Sequence, residues 1–392
     1  MRITCIFLLA MLGMSAMTGC WDNNEPDTFG YVQAVAIDGL GEGRVKVTTH
    51  FYNPSSPMGS MEEADASQQG LNIQTSGDTI FEAVRDIPLY FGRKAKWDHM
   101  RVILVSEELL RRQNIGEIFD YFSRDHEPRG TVIPIVTQGE AAPYLQIKPF
   151  IEQTIGQQFK KMTKNGAEYA SKTSKIPLYD LAIQMKSASR VSELPYIQPL
   201  GKRAVVAGTA MLRSGKLTTV LGGKDTEGLL MLTNRYKRGS IEFPCTENAV
   251  TADQLQRQES FEVQEYKAKV TPYLQEDRVV VKVDIRLRGS VGELRCSSLR
   301  ALQEVDAYQA SIADQIKQRL QTVVGMLQRE RLDSLGIGNR IYRRHPALWS
   351  KWEDDWERRF AEAEFEIAVH VDVLDTGLNI GFPFGQEEEK ER

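Results

Sequence analysis

The sequence has few of the residues from which metal and nucleic-acid sites are built. It contains four cysteines and five histidines among 392 residues, and its 49 lysine and arginine residues face 53 acidic residues, for a net charge of −4. This balance provides no polycationic surface, so we expect no nucleic-acid partner. None of the histidines lies in an H-E-x-x-H motif or at metal-ligand spacing from another histidine or a cysteine, so we expect no metal site.

Long apolar runs and catalytic motifs are also missing. Beyond residue 20 the longest uncharged apolar run, residues 204–212, has nine residues, whereas a membrane-spanning helix needs roughly 18. Neither G-x-S-x-G nor G-x-x-x-x-G-K-[ST] occurs. The glycine-rich residues 39–43 precede a strand pattern rather than a helix, which indicates a hairpin turn. We therefore expect no catalytic residue and no cofactor, and predict that the protein is not an enzyme.

The N-terminal residues follow the order of a bacterial lipoprotein signal. Arg2 precedes residues 3–17, which carry no charge and are too few for a comfortable membrane span. Residues 17–20, Met-Thr-Gly-Cys, then resemble a lipobox, in which the cysteine thiol receives a diacylglyceryl group before cleavage. We predict a signal peptide over residues 1–19 and a Cys20 that carries S-diacylglyceryl and N-acyl groups, which suffice for stable anchoring in a lipid bilayer. The alternatives are an ordinary signal peptide that contains Cys20 by chance and a true membrane anchor.

The remaining cysteines permit two interpretations. Cys5 falls within the predicted signal peptide, which leaves Cys245 and Cys296 in an extracytoplasmic compartment where disulfides persist. Their separation fits neither a C-x-x-C redox motif nor a zinc knuckle. The sequence leaves open whether these two cysteines pair or remain isolated apolar thiols.

The first part of the mature chain combines hairpins with an α/β pattern. Residues 31–53 contain two strand patterns around the glycine-rich turn, and period-two alternation in the second predicts a β-hairpin. Strand and helix patterns alternate over residues 71–137, which predicts a small α/β layer. We assign residues 20–200 to an N-terminal α/β domain, with Pro195 and Pro199 marking its boundary.

The rest of the chain predicts two further units and a tail. Residues 201–258 contain a hairpin, a short helix and a strand, and predict a small middle β-rich domain. Residues 259–376 predict a C-terminal α+β domain with two long alternating strands, a helix near residues 299–332 with one apolar stripe, and a last strand. Residues 377–392 form a charged tail. The fold class is α+β (mixed α/β) and multi-domain, with antiparallel hairpins and a small α/β layer N-terminally and a β-sheet packed by long helices C-terminally.

Four aromatic residues at helical spacing stand out near the C-terminus. We call them the aromatic stripe: Trp349, Trp352, Trp356 and Phe360. Intervals of three or four residues place them on one face of a helix, and tryptophan is enriched at partner-facing surfaces. The alternative is packing of this helix on the C-terminal sheet. We favour the core interpretation because an amphipathic helix usually turns its apolar face inward.

Several segments resemble, in order, the C subunit of Ger-type spore germination receptors. Residues 19–22, Gly-Cys-Trp-Asp, and residues 35–38, Val-Ala-Ile-Asp, resemble its start. Residues 97–109 resemble its strand that leads into an apolar-Gly-Glu-Glu-Leu helix start. Residues 208–211, Gly-Thr-Ala-Met, and residues 225–230, Asp-Thr-Glu-Gly-Leu-Leu, are similar to its G-T-A-hydrophobe and E-T-R-G-L-L segments.

Trp349 and Trp356 before a final strand, together with residues 375–377, Asp-Thr-Gly, resemble the C-terminal domain of the same family. The sequence departs from the family pattern at Asp98 and Ser106, where glycines are expected, and at Glu227, where an arginine is expected. The order of these segments extends over about 350 residues, which makes the resemblance specific although each piece is weak by itself.

The resemblance implies a mixed α/β lipoprotein on the outer face of the inner spore membrane. It would work with two integral-membrane partners, the A and B subunits of a nutrient germinant receptor, in spore germination. No germinant-contact residue is implied, because the family offers no site motif that this sequence matches. The alternative function is an extracytoplasmic solute-binding lipoprotein of a transporter. Such proteins have two similar lobes with parallel sheets, and the antiparallel hairpins at both ends of this chain argue against that alternative.

Overall fold

A computed structural model of the chain describes residues 25–53, 70–245, 258–275 and 278–377, together with residues 3, 381 and 383. Cys20 lies outside the described residues. So do the predicted signal peptide, apart from residue 3, and most of the predicted charged tail. Two sheets organise the described part of the chain, and helices pack on both of them.

The first sheet contains nine strands. Eight of them follow the order β3-β2-β1-β5-β6-β7-β8-β9, and β4 pairs with the start of β1. Their bounds are β1 (Phe29–Gly41), β2 (Arg44–Tyr52), β3 (Gly70–Gly77), β4 (Lys94–Lys96), β5 (Val102–Ser106), β6 (Ile133–Thr137), β7 (Val191–Leu200), β8 (Arg203–Arg213) and β9 (Lys216–Leu221). The second sheet has the order β10-β11-β12-β13. Its strands are β10 (Gly239–Pro244), β11 (Gln258–Gln275), β12 (Arg278–Glu293) and β13 (Glu364–Asp375).

The helices connect and cover these strands. Six lie before the end of the first sheet: α1 (Ile80–Arg85), α2 (Ile87–Phe91), α3 (Glu107–Arg112), α4 (Ile115–Arg124), α5 (Ile155–Asn165) and α6 (Leu178–Met185). Five follow it: α7 (Gly223–Leu232), α8 (Leu302–Arg329), α9 (Ile337–Arg344), α10 (Pro346–Trp352) and α11 (Trp356–Ala361). Short 3-10 turns occupy Pro26–Thr28, Ala142–Gln146 and Glu353–Asp355, and a π turn occupies Gly166–Ala170.

The first sheet has a parallel centre between antiparallel hairpins. Strands β1, β5, β6 and β7 pair in parallel, whereas β2 with β3 and β8 with β9 pair antiparallel at the two ends. The glycine-rich segment forms the predicted hairpin turn, in which Gly41, Glu42 and Gly43 all have positive φ. Helices cover both faces of the parallel centre. Val35 and Ile37 therefore face one apolar cluster and Ala34 and Ala36 the other, which explains why β1 reads as a continuous apolar run.

The second sheet is covered by the long helix and the helices that follow it. In β12 the predicted alternation holds, because Val281, Val283 and Ile285 are buried in the core beneath α8 while Lys282 is exposed. Strand β13 returns parallel to β12 after the helices. The predicted mixed α+β, multi-domain fold class is confirmed: the two sheets differ in strand number and topology, and each packs against helices.

Residues 201–258, predicted as a middle unit, contribute strands to both sheets. Strands β8 and β9 extend the first sheet, and β10 forms the edge of the second. Helix α7 lies between them, with Leu229, Leu230 and Met231 in the same apolar cluster as Met211 of β8 and the core of the second sheet. The extent of independently folding domains stays a prediction. Pro195 and Pro199, which predicted a boundary, lie within β7, and Pro195 adjoins a register shift where the missing N–H interrupts the ladder least.

Candidate functional site

The aromatic stripe lies inside the second core. Trp349, Trp352, Trp356 and Phe360 are all at most 5% exposed and belong to the apolar cluster beneath the second sheet. The helix bearing them is divided into α10 and α11 by the 3-10 turn. The Trp349 and Trp356 rings meet at 5.4 Å between centroids, and the Arg359 guanidinium lies 4.3 Å from the Trp352 ring centroid. The described residues therefore leave no open aromatic surface on this helix.

A buried carboxylate connects the aromatic stripe to the end of α8. Asp333 is 2% exposed, its Oδ1 accepts the Ile337 N–H at 3.0 Å, and its Oδ2 accepts the Gly338 N–H at 2.7 Å and Trp356 Nε1–H at 3.1 Å. Burial raises the pKa of Asp333, and these donors act in the opposite direction. A Cβ atom at Gly338 would lie 2.6 Å from Trp356 Nε1, so glycine is needed for this close approach.

A cavity of about 740 Å³ opens at the carboxyl ends of β1, β5 and β6. We call it the carboxyl-edge cavity, because ligands of open α/β sheets bind in this position. Asp38 lines it and is only 2% exposed. Its two carboxylate oxygens accept the N–H groups of Ala141 and Ala142 at 2.6 and 3.0 Å, and burial raises its pKa. Because both oxygens are engaged by backbone, Asp38 holds the loop after β6 rather than a ligand.

The two remaining cysteines form a disulfide. Cys245 and Cys296 are bonded, with their Cα atoms 6.0 Å apart. Glu259 lies beside them, is 1% exposed, and uses Oε1 to accept the N–H groups of Arg295, Cys296 and Ser297. The two sulfurs and the Glu259 carboxylate lie within 4.8 Å of one another, but a disulfide supplies no thiolate for a metal ion. This cluster therefore fastens the start of β11 to the segment before α8.

The five histidines differ in their surroundings. His50 is 5% exposed and its Nδ1 lies 2.7 Å from Asn72 Oδ1, and burial lowers its pKa. The other four, His99, His126, His345 and His370, are exposed. Among the described residues, none of the five belongs to a group of three or more side chains that could hold a metal ion.

The sequence patterns did not predict that several charged residues are buried. Glu227 on α7 is completely buried and pairs with Arg319 on α8, and Asp38, Glu259 and Asp333 accept backbone N–H groups in three separate loops. For two of them the sequence does contain a pattern that predicts burial. Asp38 ends the apolar run 35–38, and Glu227 precedes the apolar residues 228–232. An acid at the end of an apolar segment indicates a carboxylate with internal partners.

Two domain-family models match the chain in succession. Residues 22–199 match the family described as "Spore germination protein N-terminal domain". Residues 207–377 match "Spore germination B3/ GerAC like, C-terminal". Among the described residues, no helix combines the length and the apolar character that crossing a bilayer requires.

Full-length relatives and a solved structure agree with these matches. The chain is 23% identical to spore germination protein B3 of Bacillus subtilis (strain 168), over 96% of this chain and 99% of that protein. It is 19% identical to spore germination protein KC of the same organism, over 96% and 97%. The crystal structure of the GerBC protein has a TM-score of 0.54 and 19% identity, and covers 87% of this chain and 96% of its own. The resemblance found in the sequence is confirmed, and the chain belongs to the GerAC-like family of spore germination proteins.

Proposed function

We propose that this chain is the lipid-anchored, non-catalytic C subunit of a nutrient germinant receptor and acts with integral-membrane A and B subunits. The observation that carries the proposal is the pair of family matches, which together extend from residue 22 to residue 377. The proposed location is the outer face of the inner spore membrane.

The anchor would be Cys20, which lies outside the described residues. Glu25 begins the first long described stretch, and five residues of extended chain span at most about 18 Å. Acylation of Cys20 would thus hold the start of β1 close to the bilayer surface. Two or more acyl chains are needed for an anchor of this kind, and a lipobox cysteine receives them.

A non-catalytic role is supported by how the buried carboxylates are used. Asp38, Glu259 and Asp333 each accept hydrogen bonds from backbone N–H groups, so these carboxylates stabilise the fold. The solute-binding alternative predicts two similar lobes, whereas the sheets have nine and four strands and different topologies. That difference favours the receptor subunit.

The test is a Cys20→Ala variant expressed in sporulating cells, with Cys5→Ala as the matched control inside the signal peptide. We expect Cys20→Ala to abolish palmitate labelling, release the protein from spore membranes and impair germination, and Cys5→Ala to change none of these. Purification of the wild-type chain from spore membranes should retain two integral-membrane proteins. Normal palmitate labelling of Cys20→Ala would contradict the anchor, and a wild-type chain that purifies alone would contradict the assembly.

A further inference from the structure

The amino end of β1 forms one corner of the first sheet together with α2 and β4. Phe29 of β1 pairs with Lys94 in the parallel ladder between β1 and β4. The Phe91 ring of α2 stacks on Phe51 of β2 at 4.4 Å between centroids. A Cβ atom at Gly30 would overlap the Phe91 ring, so glycine is needed for this close approach. Helix α2 is therefore held directly against the amino end of β1.

Helix α2 turns two apolar side chains outward at this corner. Ile87 faces the core and is buried, whereas Leu89 and Tyr90 on the outer side are 79% and 69% exposed. Tyr52 at the end of β2 and Leu71 at the start of β3 lie at the same edge of the sheet and are also exposed. Clustered apolar surface of this kind marks a site of contact with a protein or a membrane.

Two basic side chains border the exposed apolar pair. Gly92 ends α2 in the left-handed conformation, and Arg93 and Lys94 follow it. Both basic side chains are exposed, and neither forms an ion pair with any residue that the structure describes. We call Leu89, Tyr90, Arg93 and Lys94 the α2 patch. Apolar and aromatic groups beside basic groups suit the interface of an anionic bilayer, where rings sit at headgroup level and cations meet lipid phosphates.

The proposed anchor is attached to the same corner. The first long described stretch begins at Glu25, and the Thr28 N–H donates to the Glu25 carbonyl at 3.0 Å. A compact turn therefore leads from Glu25 into β1. The chain from Cys20 to Glu25 spans at most about 18 Å, so acyl chains on Cys20 would keep the α2 patch within reach of the bilayer. Because the tether makes this contact intramolecular, a weak intrinsic affinity suffices.

The opposite edge of the first sheet is unsuited to the same contact. Strand β1 has 13 residues, which places Leu40 about 35 Å from Phe29. The carboxyl-edge cavity lies at that far end. Its lining contains five acidic residues against three basic ones: Asp38, Glu42, Glu108, Glu117, Glu140, Arg44, Arg112 and Lys216. An anionic bilayer repels a surface with excess negative charge, so the charges of the two edges favour one orientation.

We propose that the α2 patch lies on the bilayer, with Leu89 and Tyr90 inserted among the lipid headgroups and Arg93 and Lys94 bound to the phosphates of anionic lipids. This inference rests on the lipid anchor proposed above and adds an orientation to it. The parallel strands point their amino ends towards the membrane, and the carboxyl-edge cavity faces away from it. Lipid is the occupant because the tether brings this corner to the bilayer and because both kinds of side chain suit its interface.

The test is quenching of a fluorescent label by spin-labelled lipid. The full-length acylated chain carries the label at Tyr90→Cys and is reconstituted into vesicles of phosphatidylglycerol and phosphatidylcholine. Because Cys245 and Cys296 are bonded, they do not take up the label. Leu40→Cys and Leu200→Cys are the matched controls, since both replace exposed apolar residues at the carboxyl edge. Interfacial segments enter the bilayer by about 5–10 Å, so quenching at residue 90 should exceed quenching at either control about twofold or more.

An apolar variant tests insertion while the label stays at residue 90. Leu89→Ser should weaken the quenching about threefold, because a leucine side chain is then lost from the acyl boundary. Leu200→Ser, which replaces an equally exposed leucine at the carboxyl end of β7, should change nothing. Both side chains are exposed, so both variants should melt with the wild type.

A basic double variant tests the contact with anionic lipid. Arg93→Gln with Lys94→Gln should weaken docking about 30-fold, at about fivefold for each basic residue near an anionic surface. Vesicles of phosphatidylcholine alone should have the same effect on the wild type. The matched control is Lys202→Gln with Arg203→Gln, which removes two neighbouring exposed basic residues from the turn between β7 and β8 and should leave the quenching unchanged.

The outcomes separate the docking from the anchor. A chain that floats with the vesicles, but whose label at residue 90 is quenched no more than the label at residue 40, overturns the docking and leaves the anchor intact. Full quenching in both Leu89→Ser and the basic double variant also overturns it. A chain that does not float overturns both proposals, because the docking needs the tether. Quenching that appears only with co-purified integral-membrane subunits would assign the α2 patch to a protein partner and overturn the lipid contact.

Discussion

Glu227 on α7 and Arg319 on α8 form a buried ion pair across 92 residues of sequence. Glu227 is completely buried and Arg319 is 8% exposed. The helices are also in close contact beside the pair, because a Cβ atom at Gly228 would lie 2.8 Å from Val323 Cγ2. The pair therefore holds α7, which lies between the strands of the two sheets, against α8. Glu227 is also the residue at which the sequence departs from the arginine of the family pattern.

The first prediction is that Arg319→Met destabilises the protein by about 3–5 kcal/mol above pH 7, because it leaves the Glu227 carboxylate buried and unpaired. The measurement is urea unfolding of the purified chain. The control is the double variant Glu227→Met with Arg319→Met, which should recover most of the loss because a packed apolar pair often replaces a buried ion pair without cost. A double variant no more stable than Arg319→Met would contradict this account.

The second prediction concerns pH. Burial raises the pKa of Glu227 to about 7, with Arg319 acting against the rise. A carboxyl whose pKa is higher in the folded state contributes stability that is complete below its unfolded value near 4.5 and is lost as pH rises through about 7. The melting-temperature difference between wild type and Glu227→Gln should therefore favour wild type more at about pH 5 than at about pH 8. A difference that grows towards alkaline pH would show instead that the attraction to Arg319 outweighs the effect of burial on the pKa of Glu227.

The third prediction separates core from docking surface at the aromatic stripe. Trp352→Ala should lose about 3–5 kcal/mol through cavity formation. Trp356→Phe should lose about 1–3 kcal/mol, since Asp333 Oδ2 then lacks one donor. Tyr342→Ala is the control, because this ring on α9 is 52% exposed and should matter far less. If thermal melts of both tryptophan variants match wild type while the membrane partners are lost on purification, the stripe is a docking site.

The fourth prediction concerns the disulfide. Cys245 and Cys296 are separated by 51 residues, and closing a loop of that length removes unfolded-chain entropy equivalent to about 4 kcal/mol. The double variant Cys245→Ser with Cys296→Ser should lose stability on that scale in urea unfolding. Wild type treated with a reductant is the matched control and should unfold at the same urea concentration as the variant. Full reaction of both thiols with a labelling reagent in the unreduced wild type would refute the pairing.

Local patterns predicted most of the elements. The alternation of β12, the three- and four-residue spacing of α8 and the glycine-rich turn after β1 all appear where the sequence places them. These features depend on which side of a strand or helix is apolar, and periodicity records that directly. The family was recognisable for a related reason, since its short segments occur in a fixed order along the chain.

Long-range pairing could not be predicted in the same way. The pattern of residues 201–258 shows a hairpin, a helix and a strand, but does not show that β8 joins β7 while β10 joins β11. Likewise the spacing of Cys245 and Cys296 left their pairing open. An apolar face specifies that a segment is covered and not which segment covers it.

By itself the sequence indicated the fold class and the family, favoured the inward direction of the aromatic stripe, and predicts a lipobox at Cys20. Only the tertiary structure decided that Glu227 meets Arg319, that Asp333 accepts a hydrogen bond from Trp356, and that Cys245 pairs with Cys296. The reason is physical: a buried polar atom is stable only with a suitable partner at hydrogen-bond distance. That partner lies on a segment distant in sequence, and only the packing of the helices and sheets determines which segment it is.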